Sequence, residues 1–160
     1  ASLFAAAKSD PSPELRRQAV HQLGVSGGVN ELWQLYSSES DAEVKKSILE
    51  GLFLSGQPEK LFDLAGHEKD PALRKQAIRQ LGLMGSAKTG TFLTSLYARE
   101  TDPGAKKAAI EGLWLQGNGK ALVEIARKET DPARRKEIVQ KLSLMNNKDS
   151  SDYLMELLNK

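Results

Sequence analysis

The chain has 160 residues, 23 Lys and Arg against 21 Asp and Glu for a net charge of +2, and no cysteine. The missing cysteine excludes disulfides, thiolate-bound zinc and thiol nucleophiles, and the near-balanced charge argues against a strongly basic nucleic-acid binder. A composition that is 39% hydrophobic and 28% charged suits a soluble globular chain, and no apolar run reaches the length of a membrane-spanning helix.

The first element comes in residues 1–8. Leu3 lies nine residues before Ser12, as Leu32 lies before Asp41 and Leu61 before Asp70, and Phe4 then matches Trp33 and Phe62. This register predicts the tail of a helix that belongs to a preceding unit, with Ala5, Ala6 and Ala7 as a weak cap, so the chain reads as a piece of a longer array. Ser12-Pro13 is the first clear helix start, since the hydroxyl caps free amides and proline presets the first helical residue. Leu15, Ala19, Val20 and Leu23 then form one helical stripe, and Gly27 ends the helix in the conformation that favours glycine. A shorter amphipathic helix follows, marked by Leu32 and Leu35.

The same pair of helices returns along the chain. Starts at Asp41, Asp70-Pro71, Asp102-Pro103 and Asp131-Pro132 follow Ser12 at steps of 29, 29, 32 and 29 residues. Stops at Gly27, Gly56, Gly85, Gly117 and Asn146 each fall 15 residues after a start. The second helices carry Leu61/Leu64, Leu93/Leu96, Leu122/Ile125 and Leu154/Leu157. Five hairpins are predicted over residues 9–37, 38–66, 67–98, 99–127 and 128–160, each an A helix followed by a B helix. Neither helix of a pair can bury its stripe alone, so the hairpins stack: the fold class is an all-α solenoid. A second period covers two hairpins, because 45–54 resembles 106–115, while Gly24, Gly82 and Ser143 alternate with Phe53 and Trp114. This alternation predicts that a ring of one hairpin packs against the gap left by its neighbour.

The segment from Asp70 to Gly82, Asp-Pro-x-Leu-Arg-Lys-x-Ala-Ile-x-x-Leu-Gly, resembles the HEAT-like repeat family, and the short unit is similar to the compact bacterial branch that includes phycobilin-lyase-type repeats. The resemblance covers nearly the whole chain. It implies a right-handed α-α superhelix, a non-catalytic role in protein interaction, and a ladder in which Asp and Arg side chains join neighbouring repeats.

Little in the chain points to chemistry. His21 and His67 are the two imidazoles, and neither has a metal-ligating or catalytic partner at helical spacing. The carboxylates are scattered among lysines, and no phosphate-binding glycine motif follows a strand. No catalytic, metal or cofactor residue is therefore expected. The basic pairs Arg16-Arg17, Lys45-Lys46, Arg74-Lys75, Lys106-Lys107 and Arg135-Lys136 form a column that fits either a stripe for phosphate backbones or the inter-repeat ladder, and the acidic neighbours favour the ladder. The expected partner surface is the B-helix face, which would line a concave wall. Its candidate contacts are Trp33, Tyr36, Phe62, Asp63, Thr94, Tyr97, Val123, Glu124 and Arg127. A protein or peptide partner follows, without membrane insertion; a nucleic-acid-binding domain using the basic column and a spacer domain of a larger protein are the alternatives.

Overall fold

A computed structural model describes residues 2–160. These fold into eleven helices with no strand among the described residues: α1 (Leu3–Ser9), α2 (Pro13–Val25), α3 (Val29–Ser38), α4 (Ala42–Leu54), α5 (Glu59–His67), α6 (Pro71–Met84), α7 (Ala87–Arg99), α8 (Pro103–Leu115), α9 (Gly119–Lys128), α10 (Pro132–Ser143) and α11 (Lys148–Leu158). The even-numbered helices α2 to α10 are the A helices and α3 to α11 the B helices of five hairpins. The short α1 packs on α2 and α3, where a preceding B helix would lie. The result is an all-helical solenoid.

Local chemistry fixes the ends of these helices. Ser12, Asp41, Asp70, Asp102 and Asp131 each accept a backbone N–H of the following first turn, and proline stands in that turn in four of the five A helices. At the other end Gly27, Gly56, Gly85 and Gly117 take φ of 81°, 74°, 65° and 68°. The Gly28 N–H reaches back to the Leu23 carbonyl, and the Asn118 N–H to that of Leu113, closing the reverse turns that start α3 and α9. The fifth hairpin departs from the expectation. No residue other than glycine has a positive φ among the described residues, so Asn146 does not replace glycine as a left-handed stop. A side chain makes that conformation costly. Helix α10 instead ends at Ser143 in a tightened turn, with the Leu144 and Met145 N–H groups bonded to the Lys141 and Leu142 carbonyls.

One continuous core runs along the stack. Val20, Ile48, Ile78, Ile110 and Ile138 from the A helices, and Leu32, Leu61, Leu93 and Leu122 from the B helices, are fully buried in it. In the last hairpin Tyr153 takes the deepest place and Leu154 is half-buried.

The two-hairpin period also has a packing cause, but a different one from ring against gap. A Cβ built at Gly24 would lie 2.5 Å from the Gly51 Cα, and one at Gly82 would lie 2.4 Å from the Gly112 Cα. The small residues therefore face each other, and α2 meets α4, and α6 meets α8, backbone against backbone. The rings belong to the alternate junctions. Trp114 sits under the Lys141 ammonium, 4.7 Å from its ring centre, where α8 meets α10. Close and wide junctions alternate, and α2–α4 and α6–α8 pack more extensively than α4–α6 or α8–α10.

Candidate partner-binding face

The B helices carry the expected contact residues, and their amphipathic pattern decides which of them reach the surface. Burying Leu32, Leu61, Leu93 and Leu122 turns the next residue partly outward: Trp33, Phe62, Thr94 and Val123 are half-buried, and Met155 of α11 is exposed. The Lys60 ammonium lies 4.9 Å from the Trp33 ring centre. Phe62 of α5 meets Phe92 of α7 at 4.5 Å between centroids, with the rings inclined by 31°. Lys88 stands over Phe62 and Arg99 over Phe92, each 5.6 Å from its ring centre. Further along, Arg127 stands over Tyr153 at 5.0 Å. The helices thus carry a row of rings with a cation against each, an arrangement suited to polar as well as apolar contacts.

Phe92, Lys60 and Tyr153 were not among the expected residues. They occupy the position just before the inward leucine, where the five B helices hold Glu31, Lys60, Phe92, Ala121 and Tyr153. The changing residue type hides this column, although its spacing is regular.

The charged members are solvent-facing and paired. Asp63 lies 3.4 Å from the His67 Nδ1, and Glu124 lies 3.4 Å from the Lys128 ammonium, both one helical turn on. Arg127 bonds Glu156 of the next B helix at 2.6 Å. Exposed pairs of this kind contribute little to stability and can exchange partners freely. The Thr94 hydroxyl donates to the Gly90 carbonyl at 2.9 Å.

Tyr36 and Tyr97 have a different place. Both are buried, and both donate their hydroxyl to the glutamate that caps the end of the next B helix, Tyr36 to Glu68 after α5 and Tyr97 to Glu129 after α9. Lys45 and Lys106 cover their rings at 4.9 Å and 4.3 Å. Burial and the neighbouring carboxylate push both phenols far above the ordinary tyrosine range. Burial pushes Glu68 and Glu129 upward, but the tyrosine hydroxyls, backbone N–H groups and nearby lysines outweigh it and hold both carboxylates below their usual value.

These carboxylates are part of a column that runs through every hairpin. Asp10, Glu39, Glu68, Glu100 and Glu129 each stand two residues before a helix cap and accept its N–H at 2.9–3.0 Å. In the alternate hairpins arginine replaces tyrosine as the second donor. Arg16 bonds Glu39 at 3.2 Å, and Arg74 bonds Glu100 and also the Ala65 carbonyl at 2.8 Å. The Arg74 guanidinium holds Glu100 below the usual carboxylate range. The expected ladder between repeats is present: Arg16 and Arg74 reach free carbonyls, of Asp10 and Ala65, and their carboxylate acceptor is this glutamate rather than the capping aspartate. It bonds the first member of two basic pairs, Arg16 and Arg74, while Lys45 and Lys106 lie over the tyrosine rings and act on Glu68 and Glu129 through their charge. In the last hairpin Arg134 stands near Glu129 and Asp131, at 3.9 Å and 3.7 Å.

The family model for HEAT repeats matches residues 29–114, more than half of the chain, across stacked helical hairpins with capped starts, glycine stops and a charged inter-repeat ladder. The chain belongs to the HEAT repeat family. No curated protein matches it. HEAT repeats are generally scaffolds for protein interaction. Among the described residues of this HEAT-repeat chain no cluster of three or more His, Asp or Glu could hold a metal, and no helix is long and apolar enough to cross a membrane.

Proposed function

We infer that this HEAT-repeat chain is a non-catalytic scaffold that docks a protein or peptide partner on its B-helix face, through Trp33, Phe62, Asp63, Thr94, Val123, Glu124 and Arg127. One observation supports this reading above the others: the half-exposed rings of α3, α5 and α7 form a row with a cation against each ring. Large rings give much contact area at little cost in side-chain entropy, and aromatic and arginine residues dominate binding energy at interfaces. The mixed charges around the row suit a partner segment of mixed polarity. Tyr36 and Tyr97 support this face from behind, by tying α3 to the end of α5 and α7 to the end of α9.

The test is affinity capture from an extract of the source cell, with the wild type compared with a Trp33→Ala, Phe62→Ala variant. Proteins retained by the wild type are lost from the variant, while far-ultraviolet circular dichroism shows unchanged helical content. Undiminished capture by a folded variant would overturn the reading.

A further inference from the structure

The two-hairpin period places two equivalent clefts on the B-helix face. One lies between α3 and α5, lined by Trp33, Tyr36, Asp63, Leu64 and Glu68. The other lies between α7 and α9, lined by Thr94, Tyr97, Glu124, Ile125 and Glu129. Each of these residues is 61 positions from its counterpart. The frame is the same in both: a buried tyrosine bonded to the glutamate that caps the end of the next B helix, with a lysine over its ring.

One position differs in a way that changes the shape. In the first cleft the Trp33 indole lies parallel to Tyr36, with centroids 6.2 Å apart and ring planes 7° apart. In the second, Thr94 stands at the place of Trp33 and its hydroxyl is turned to its own helix. The two cavities are similar in volume, about 370 Å³ there and about 320 Å³ in the first, but the second reaches down to Lys106, whereas the first is shallower and does not reach Lys45. Such a volume lies within the range of small ligand sites. Lys60, which covers Trp33, has Ala121 as its counterpart, so no cation stands over Thr94 from that position.

We propose that the α7–α9 cleft is a pocket for one aromatic side chain of the tryptophan class, carried by the partner polypeptide and seated where Trp33 sits in the equivalent cleft. The molecule itself displays the occupant: the same frame two hairpins earlier holds an indole. The incoming ring rests on Thr94 and Ile125, meets the edge of Tyr97, and lies near the Lys106 ammonium, which attracts a π face. The Glu124–Lys128 pair forms the rim. This proposal rests on the B-helix face being the docking face, and it names the side chain that anchors there.

The test uses N-acetyl-L-tryptophanamide as probe and N-acetyl-L-leucinamide as control, in an amide NMR titration of the full chain. The tryptophan probe moves the signals of Thr94, Ala98, Ile125 and Thr130 with a Kd of about 1 mM, as expected for a single small side chain; the leucine probe binds at least about tenfold more weakly. Thr94→Trp fills the cleft from within and removes these shifts, with its folding checked by thermal melting. The opposite variant, Trp33→Thr, opens the first cleft, so a second set of shifts emerges at Asp63, Leu64 and Lys69 and the stoichiometry rises from one probe to two. Equal binding of both probes, shifts that survive in a folded Thr94→Trp chain, or no second site in Trp33→Thr would each overturn the proposal. These outcomes are independent of capture by the Trp33→Ala, Phe62→Ala variant: loss of partner there together with failure of the indole titration would reject the pocket and leave the docking face standing.

Discussion

Glu129 takes three kinds of contact at once. It accepts the Asp131 N–H at 3.0 Å and the Tyr97 hydroxyl, and it lies in the field of Lys106. Glu68 does the same with Asp70, Tyr36 and Lys45. A carboxylate taken out of water is stabilising only when its lone pairs are met, and the removal of one donor leaves the charge buried. Tyr97→Phe is therefore expected to cost about 1.5–3 kcal/mol in urea unfolding, the usual worth of a hydrogen bond to a charged group. The pH dependence follows from the same carboxylates. Glu68, Glu100 and Glu129 are held below their unfolded value of about 4.3, so their contribution is complete above that pH and is lost as the pH falls through their lower folded values. Wild-type stability should thus be level above about pH 5 and fall as the pH is lowered further. In Tyr97→Phe, burial of Glu129 is no longer offset by the hydroxyl, its folded value moves up, and that fall becomes smaller. An equal fall in both chains would count against the ladder. The acidic column itself could have been read from the sequence, since Asp10, Glu39, Glu68, Glu100 and Glu129 keep a fixed distance to the caps. Its second donors could not, because arginine comes from the preceding A helix and tyrosine from the preceding B helix, and only the stacking brings each to its carboxylate.

At the level of the helix, local rules carried most of the fold. Caps and glycine stops depend on a few neighbouring residues and on the cost of a Cβ in the left-handed region, so they mark α2 to α9 reliably along the sequence. Contacts between helices were harder to foresee. Gly24 and Gly82 stood out as small residues alternating with rings, yet their partners are Gly51 and Gly112, which sit in helices that also hold those rings. Which residue faces which is set by the crossing of two A helices, a property of the stack. The crossing gives a sharp expectation for Gly82→Ala. In an exposed helix the change would add about 1 kcal/mol of helix propensity. Here the new methyl meets Gly112 backbone atoms at 2.4–2.8 Å, and no flexible side chain can yield. The expected result is a net loss of about 1–3 kcal/mol, as for an overpacked core, measured by thermal or urea unfolding. A stabilised Gly82→Ala chain would show that α6 and α8 separate readily at this point.

Across the whole molecule, charge is distributed unequally between the two ends of the hairpins. The turns from A to B helix, within residues 22–30, 51–58, 80–87, 112–119 and 142–147, contain no Lys, Arg, Asp or Glu, and Val25, Leu54, Leu83 and Leu144 are exposed there. The links from B to A helix hold the acidic column, the caps and the ladder. Two surfaces therefore compete for a partner: the uncharged turn edge and the row of rings on the B helices. The row has the larger side chains, the cations and the cleft between α7 and α9; the turn edge has scattered aliphatic groups, which are common on protein surfaces. The sequence indicated Trp33 and Phe62 through their shared register, but the meeting of Phe62 with Phe92 across two hairpins needed the stack. The most direct measurement is amide hydrogen exchange on the complex with a captured partner. Protection concentrated in α3, α5, α7 and α9 is the predicted result. Protection confined to the A-to-B turns or to the A helices, with the B helices exchanging as in the free chain, would contradict the account.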